Sequence, residues 1–449
     1  MWWNLSAGRS KNAFDRTAAR SAQAGSISAL QYLIFNMNQQ ELLPHLFRSE
    51  FRKITAVLCR HFGIEHIEIA EDIAGDTFLS AVEIWTYKGI PANPTAWLYA
   101  VAKNKAKNYL SRHTVFSEKV VRNIQDSPVS ATFTDIDLSD QNITDSQLQM
   151  LFTLCHPSIS REAQIGLSLR ILCGFGIDEI ADAFLTNKEA ITKRLFRAKE
   201  KLRSEKIVIA LPADHEIIAR LDTVLLTLYL LFNEGYYSES KDSVLRNDLC
   251  LEAMRLTYLL IENEKTNQPA VNALMALMCF HASRFEARKD GNGAAVLYQD
   301  QDEALWNQEL IGKGVHFFQK ASKGNQLSKY HLEAGIAYWH TIKSDSPEKW
   351  EHILQLYNQL LRIEYSPIAA LNRTFALSKA NGKEEAILAA ERLNLSDNHF
   401  YFTLLGELYL DIDNDKAKLY FQKALTLAKT QTDGQTIQNK IDILNEHLG

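Results

Sequence analysis

The sequence predicts an all-α protein: two small helical modules, the second a helix-turn-helix, followed by an α-helical repeat array. Three observations carry this. From Leu42 onward apolar residues recur every three or four positions with few alternating stretches, the spacing of one helix face. Glycine (19) and proline (9) are scarce in 449 residues, too few for the tight turns of an all-β fold. The composition, 46% apolar and 23% charged, is that of globular material, with length for two to four domains.

Residues 1–36 carry Arg9, Lys11, Arg16 and Arg20 against the single acid Asp15, with many Ser and Ala. They lack the sustained apolar core and cleavage pattern of a targeting segment, and are expected to be a disordered extension upstream of a start at Met37. Residues 37–113 read as the first helical module and 114–147 as an acidic linker, because 123–147 hold five aspartates and no Lys or Arg. Residues 148–206 read as the second module. Leu211-Pro212-Ala213 breaks the pattern, and 212–449 reads as the array.

Charge is uneven. Residues 1–213 hold 25 Lys and Arg against 22 Asp and Glu, whereas 214–449 hold 24 against 32. Nucleic-acid contact is therefore expected in the first half. The five cysteines (Cys59, Cys155, Cys173, Cys250, Cys279) have no CxxC spacing and an odd count, and read as buried thiols of a reducing cytoplasm. No apolar run reaches the roughly 18 residues a membrane span needs, so no membrane association is expected. No HExxH, G-x-S-x-G or Walker pattern occurs, so neither an enzyme activity nor a metal or cofactor is expected.

In the first module, residues 68–86 form an amphipathic helix. Glu68, Asp72 and Asp76 fall four apart on an exposed stripe with Glu83 beyond, suiting a basic partner helix or simply solvent. Ile69, Ile73, Val82 and Trp85 are expected to be its buried side. After a loop at residues 87–93, Asn93 and Pro94 can open a helix to Arg112. Trp97 and Val101 are expected inward. Asn104, Asn108 and Arg112 form an outward stripe flanked by Lys103, Lys105 and Lys107, and amides beside cations suit base and phosphate contacts together.

The second module holds the strongest local pattern, residues 174–203. A short helix with Ile180, Ala181 and Phe184 on one face is followed by a turn at Leu185-Thr186-Asn187. Thr186 and Glu189 make a capping box for the next helix, which buries Ile191, Leu195, Ala198 and Leu202. Its outer face carries Lys188, Lys193, Arg194, Arg197, Lys199, Lys201 and Arg203. Two short helices and a cationic second one make a helix-turn-helix whose leading cations can reach base edges in a major groove. The plainer alternative is a solvated cationic face.

The Glu71-Asp72-x3-Asp76-x-Phe78 helix, the Pro94-Thr-Ala-Trp97-Leu-Tyr-x-Val-Ala-Lys-Asn104 segment, the acidic linker and the helix ending Lys193-Arg-Leu-Phe-Arg-Ala-Lys199 follow in this order. Together they resemble regions 2 and 4 of an extracytoplasmic-function sigma factor. The stretch Leu228-Tyr-Leu-Leu-Phe-Asn-Glu-Gly-Tyr-Tyr237 and the helical tail resemble the subgroup with a long tetratricopeptide-like C-terminal extension. The resemblance implies core RNA polymerase and promoter DNA as partners. It implies docking on the polymerase clamp helices through Asp72 and Asp76, with Glu68 and Glu83 on the same helix. Residues 87–93, including Tyr87 and Asn93, would shape a pocket for a flipped −10 base. Asn104, Lys105 and Asn108 would contact the −10 strand beside Lys103, Lys107 and Arg112. Lys188, Thr192, Lys193, Arg194 and Arg197 would read the −35 element with Lys201 nearby. Glu189 near the start of that helix is a departure from the family, able to accept from cytosine N4 or simply to cap the helix. The linker would thread the polymerase channel.

In the array, Phe402, Leu405, Gly406 and Tyr409 match the first helix of a tetratricopeptide repeat, and Ala417, Phe421 and Ala424 its second. Residues 366–393 read as another helix pair turning at Asn381-Gly382. Asn233, Glu234, Tyr236 and Tyr237 either line a groove for a regulatory protein or ligand or satisfy a helix end, the structural role being preferred. A rival for the whole chain is a helical-repeat adaptor with an incidental DNA-binding patch.

Overall fold

The computed structural model describes residues 39–121, 136–184, 186–237, 243–288, 296, 298–324, 326–428 and 431–448, and every regular element among them is helical. The extension at 1–36 lies outside the described residues. The chain divides into two compact units, one of residues 1–182 with 186–211, the other of 183–185 with 212–449.

Unit 1 is organised on α1 (Gln39–Phe62), whose Leu46, Phe51, Ile54 and Leu58 are buried. Gly63, at φ 92, and a single 3-10 turn reverse the chain into α2 (Ile67–Lys88). Asn93 Oδ1 accepts from the Ala96 N–H at 3.0 Å and starts α3 (Pro94–Val121), with Pro94 in its first turn. The buried face of α3 is Leu98, Ala102 and Ala106; Trp97 and Val101 are only half-buried, one position out of phase with the expectation.

The segment read as a linker is helical at both ends. Residues 114–121 continue α3, and α4 (Asp140–Leu154) begins well before residue 148. Ser139 caps α4 by accepting from the Asn142 N–H, and Ile143, Leu148, Leu151 and Phe152 bury it against α1. Arg60 of α1 donates to Asn142 Oδ1 at 2.8 Å. The polar composition thus concealed an amphipathic first turn; residues 122–135 lie outside the described residues.

α5 (Arg161–Leu167) runs into a widened π turn, Ser168–Leu172, closed by the Cys173 N–H donating to the Ser168 carbonyl five residues back at 3.1 Å. There follow α6 (Ile177–Ala183) and α7 (Lys188–Ser204). Asn187, not Thr186, caps α7: its backbone is extended and its Oδ1 accepts from the Ala190 N–H at 2.8 Å. Ile191, Leu195, Ala198 and Leu202 are all buried. All five cysteines are buried.

Unit 2 comprises α8 (Asp214–Tyr237), α9 (Ser243–Glu262), α10 (Pro269–Ala282), α11 (Gln308–Ala321), α12 (Lys329–Trp339) and α13 (Pro347–Ile363). It continues through α14 (Pro367–Asn381), α15 (Lys383–Leu393), α16 (His399–Tyr409), α17 (Asn414–Leu427) and α18 (Gln431–Leu448). Neighbours in sequence pack on one another, α8 with α9, α10 with α11, α13 with α14 and α16 with α17. Pro269, Pro347 and Pro367 each open a helix where no N–H is needed. Close approach depends on small residues. A Cβ at Gly406 would lie 2.5 Å from the Phe421 ring, and one at Gly314 2.5 Å from Phe280. Gly382, at φ 102, makes the turn between α14 and α15.

Candidate nucleic-acid interface

The acidic helix α2 presents two edges. Asp72, Asp76 and Glu83 are exposed and make no ion pair among the described residues. Asp72 and Asp76 border a groove in which Phe47 of α1 and Leu79 and Val82 of α2 are exposed by 37%, 56% and 46%. Val82, expected to be buried, is therefore on the open rim, and Ile69 is half-buried; Ile73 and Trp85 are buried as expected. The inward face is completed by Ile67, Ala70, Ala74, Thr77, Phe78 and Ala81. Acids beside an apolar strip fit a partner helix that is both cationic and apolar.

The other edge of α2 is engaged within the unit. Glu71, absent from the expected stripe, accepts from Arg170 Nε at 2.9 Å and from Lys199 Nζ at 2.6 Å. Its side chain is 10% exposed and that of Lys199 13%. Glu68, expected to face a partner, instead binds Arg203 at 2.7 Å, with Lys199 at 3.8 Å. Cys59 lies beneath this cluster, and burial, with the Glu71 and Glu68 carboxylates, pushes its thiol well above the ordinary range. Arg170 is aimed by the π turn, its Nη1 donating to the Phe175 carbonyl at 3.1 Å. These partners are 99 and 128 residues from Glu71, so no local pattern announces them.

On α3, Asn104, Asn108, Lys107 and Arg112 are exposed, while Lys103 and Lys105 are half-buried. Spacing of four keeps Asn104, Asn108 and Arg112 on one stripe. Tyr87, 90% exposed at the end of α2, offers a free ring near the start of the loop. Asn93 is spent in part on capping α3. Trp97 packs edge-on against Trp85 with ring centroids 5.3 Å apart, a core role for much of its surface.

On α7 the cations divide. Lys193 and Arg197 are exposed and make no ion pair among the described residues. Phe196, 63% exposed between them, was not anticipated. Arg194 is half-buried. Lys188 pairs with Asp178 at 3.1 Å and Lys201 with Glu205 at 2.8 Å, both in solvent, where such pairs open readily. Thr192 donates to the Lys188 carbonyl at 2.8 Å, and Glu189 is exposed. Lys199 and Arg203, expected outward, face α2.

In unit 2, Tyr236 is buried: it stacks on Phe232, lies 4.5 Å from the His281 ring, and has the Arg288 guanidinium 3.9 Å from its own ring centre. Arg288 also donates to the Tyr236 carbonyl at 3.1 Å, satisfying the end of α8. Asn233 and Glu234 are half-buried, and the Tyr237 side chain lies outside the described residues.

Residues 46–115 match the sigma-70 region 2 family, and residues 220–322 match a family of unknown function, DUF6596. An uncharacterised protein of Rhizobium meliloti is 32% identical over 400 residues, covering 86% of this chain and 92% of that protein. The ECF RNA polymerase sigma-E factor of Haemophilus influenzae is 25% identical over 158 residues, covering 34% of this chain and 81% of that protein. No solved structure matches.

Proposed function

We propose that the chain is a sigma-70 factor, with a likeness to the extracytoplasmic-function members, that binds core RNA polymerase and directs promoter recognition and opening. A sigma-70 region 2 match over residues 46–115 and the likeness to a sigma-E factor support this. The observation that carries the reading lies within the matched region: Asp72 and Asp76 border an apolar groove, and a separate helix holds an exposed amide and cation stripe. The groove of α2 takes a polymerase helix. Asn104, Asn108 and Arg112, with Tyr87 at the end of α2, take the −10 strand, where stacking and phosphate contact offset the cost of unstacking. α6 and α7 act as a helix-turn-helix that reads the −35 element through Lys193, Arg194 and Arg197. Unit 2, a tetratricopeptide-like array, serves as a regulatory module, and the chain works without a reaction of its own.

The test is run-off transcription with purified core polymerase and the full chain on genomic fragments. A discrete set of start sites dependent on the added chain is expected. Failure to co-elute with core polymerase would overturn the reading.

A further inference from the structure

Just past the end of α10, unit 2 encloses two cations, Arg284 and Lys349, that make no ion pair among the described residues. Arg284 is 8% exposed, its Nε has no hydrogen-bond partner, and it makes no ion pair among the described residues. Its guanidinium carbon lies 5.4 Å from the centre of the Tyr298 ring. Lys349, in the first turn of α13, is 2% exposed, and its ammonium lies 5.3 Å from the same ring centre. That ammonium donates to the Tyr298 hydroxyl at 3.1 Å and to the Ile342 carbonyl at 2.5 Å, both neutral acceptors. The acid that acts on Lys349 is Asp345, but its carboxylate is already held by the Trp350 indole N–H and, at 3.0 Å, by Lys379.

Two neutral nitrogen groups complete the cluster. Trp306, 3% exposed, stacks on Tyr298 at 6.2 Å with its indole N–H unpartnered. His340 meets Tyr298 edge-on at 5.1 Å, and its Nδ1 is unpartnered. Burial, with Arg284 and Lys349 close by, pushes the His340 pKa down to about 3, so the ring adds no charge at neutral pH. Buried cations are ordinarily paired, and a guanidinium fork beside an ammonium and an N–H donor is suited to a planar or tetrahedral oxyanion.

We propose that Arg284, Lys349, Trp306 and His340, grouped around Tyr298, form a binding site for the oxyanion group, phosphate or carboxylate, of a small molecule. This does not depend on the polymerase reading. His340 and Lys349 lie beyond the matched residues 220–322, so the site joins that segment to the helices that follow it.

The test titrates the full chain with inorganic phosphate in one arm and acetate in the other, read by calorimetry and by melting temperature. At least one anion should saturate at one site per chain and raise the melting temperature. A response to phosphate alone identifies a phosphorylated ligand, and one to acetate alone a carboxylate. Arg284→Gln and Lys349→Met should each weaken binding by roughly tenfold or more. Both variants should also melt above the wild type before anion is added, since each removes a buried charge that has no ion pair among the described residues. Lys313→Met, at an exposed Lys313–Glu309 pair on α11, should bind as the wild type does. Saturation by neither anion, equal binding by wild type and both site variants, or a wild type more stable than both without anion would each overturn the proposal. If Arg284→Gln does not fold, Lys349→Met decides, because methionine keeps the length of the buried stem.

Discussion

Helices α3 and α7 are both cationic, and unit 1 deploys them differently. On α3 the polar stripe stays outward while Leu98, Ala102 and Ala106 hold the helix down. On α7 rotation about the axis sorts the cations: Arg197 is outward, and Lys199, about 200° further round, lies against Glu71. How many positive charges a helix carries does not say what it presents. The acids on the facing helix decide, and α2 offers Glu68 and Glu71 to α7.

That contrast can be broken in order of expected effect. Glu71→Gln strands Arg170 and Lys199, and should lower the unfolding free energy seen in urea by about 3 kcal/mol. A loss well under 1 kcal/mol would mean that the pair does not hold α7 in place. Arg197→Glu should leave stability within about 0.5 kcal/mol, yet cost about 1–3 kcal/mol of promoter affinity in a band-shift assay with core polymerase. If Lys199→Glu gave the same loss of affinity with no loss of stability, the division of α7 into two faces would fall. Arg203→Ala should matter least. Its partner Glu68 is 48% exposed and Arg203 itself 33%, so below about 1 kcal/mol is expected, shrinking as salt is raised.

What was legible in the sequence follows from the range of each interaction. Ile191, Leu195, Ala198 and Leu202 could be placed because a buried stripe repeats within one helix. Phase was harder than period. Trp97 and Val101 lie one residue from the buried Leu98 and Ala102, since a bulky side chain attracts the assignment that small alanines take up in packing. Val82 failed for a related reason: apolar residues surround much of α2, and which of them stay open depends on where α1 leaves room. Thr186 and Asn187 both have capping side chains, so only the extended backbone of Asn187 decides between them. Glu71, Arg170 and Lys199 were invisible because they meet only after the chain has folded back. The same holds for the two cations and the neutral His340 about Tyr298, drawn from α13 and the segments after α10 and α12.

The π turn at Ser168–Leu172 has a wider reach than its length suggests. A helix advances about 100° per residue, so one surplus residue sets the bearing of the unit 1 segments that follow it. Arg170 can grip Glu71 and the Phe175 carbonyl at once because of that surplus. The turn therefore works as a gear tooth: taking it out would scarcely shorten the chain, but would swing the downstream helices of unit 1 about a quarter-circle off their bearing.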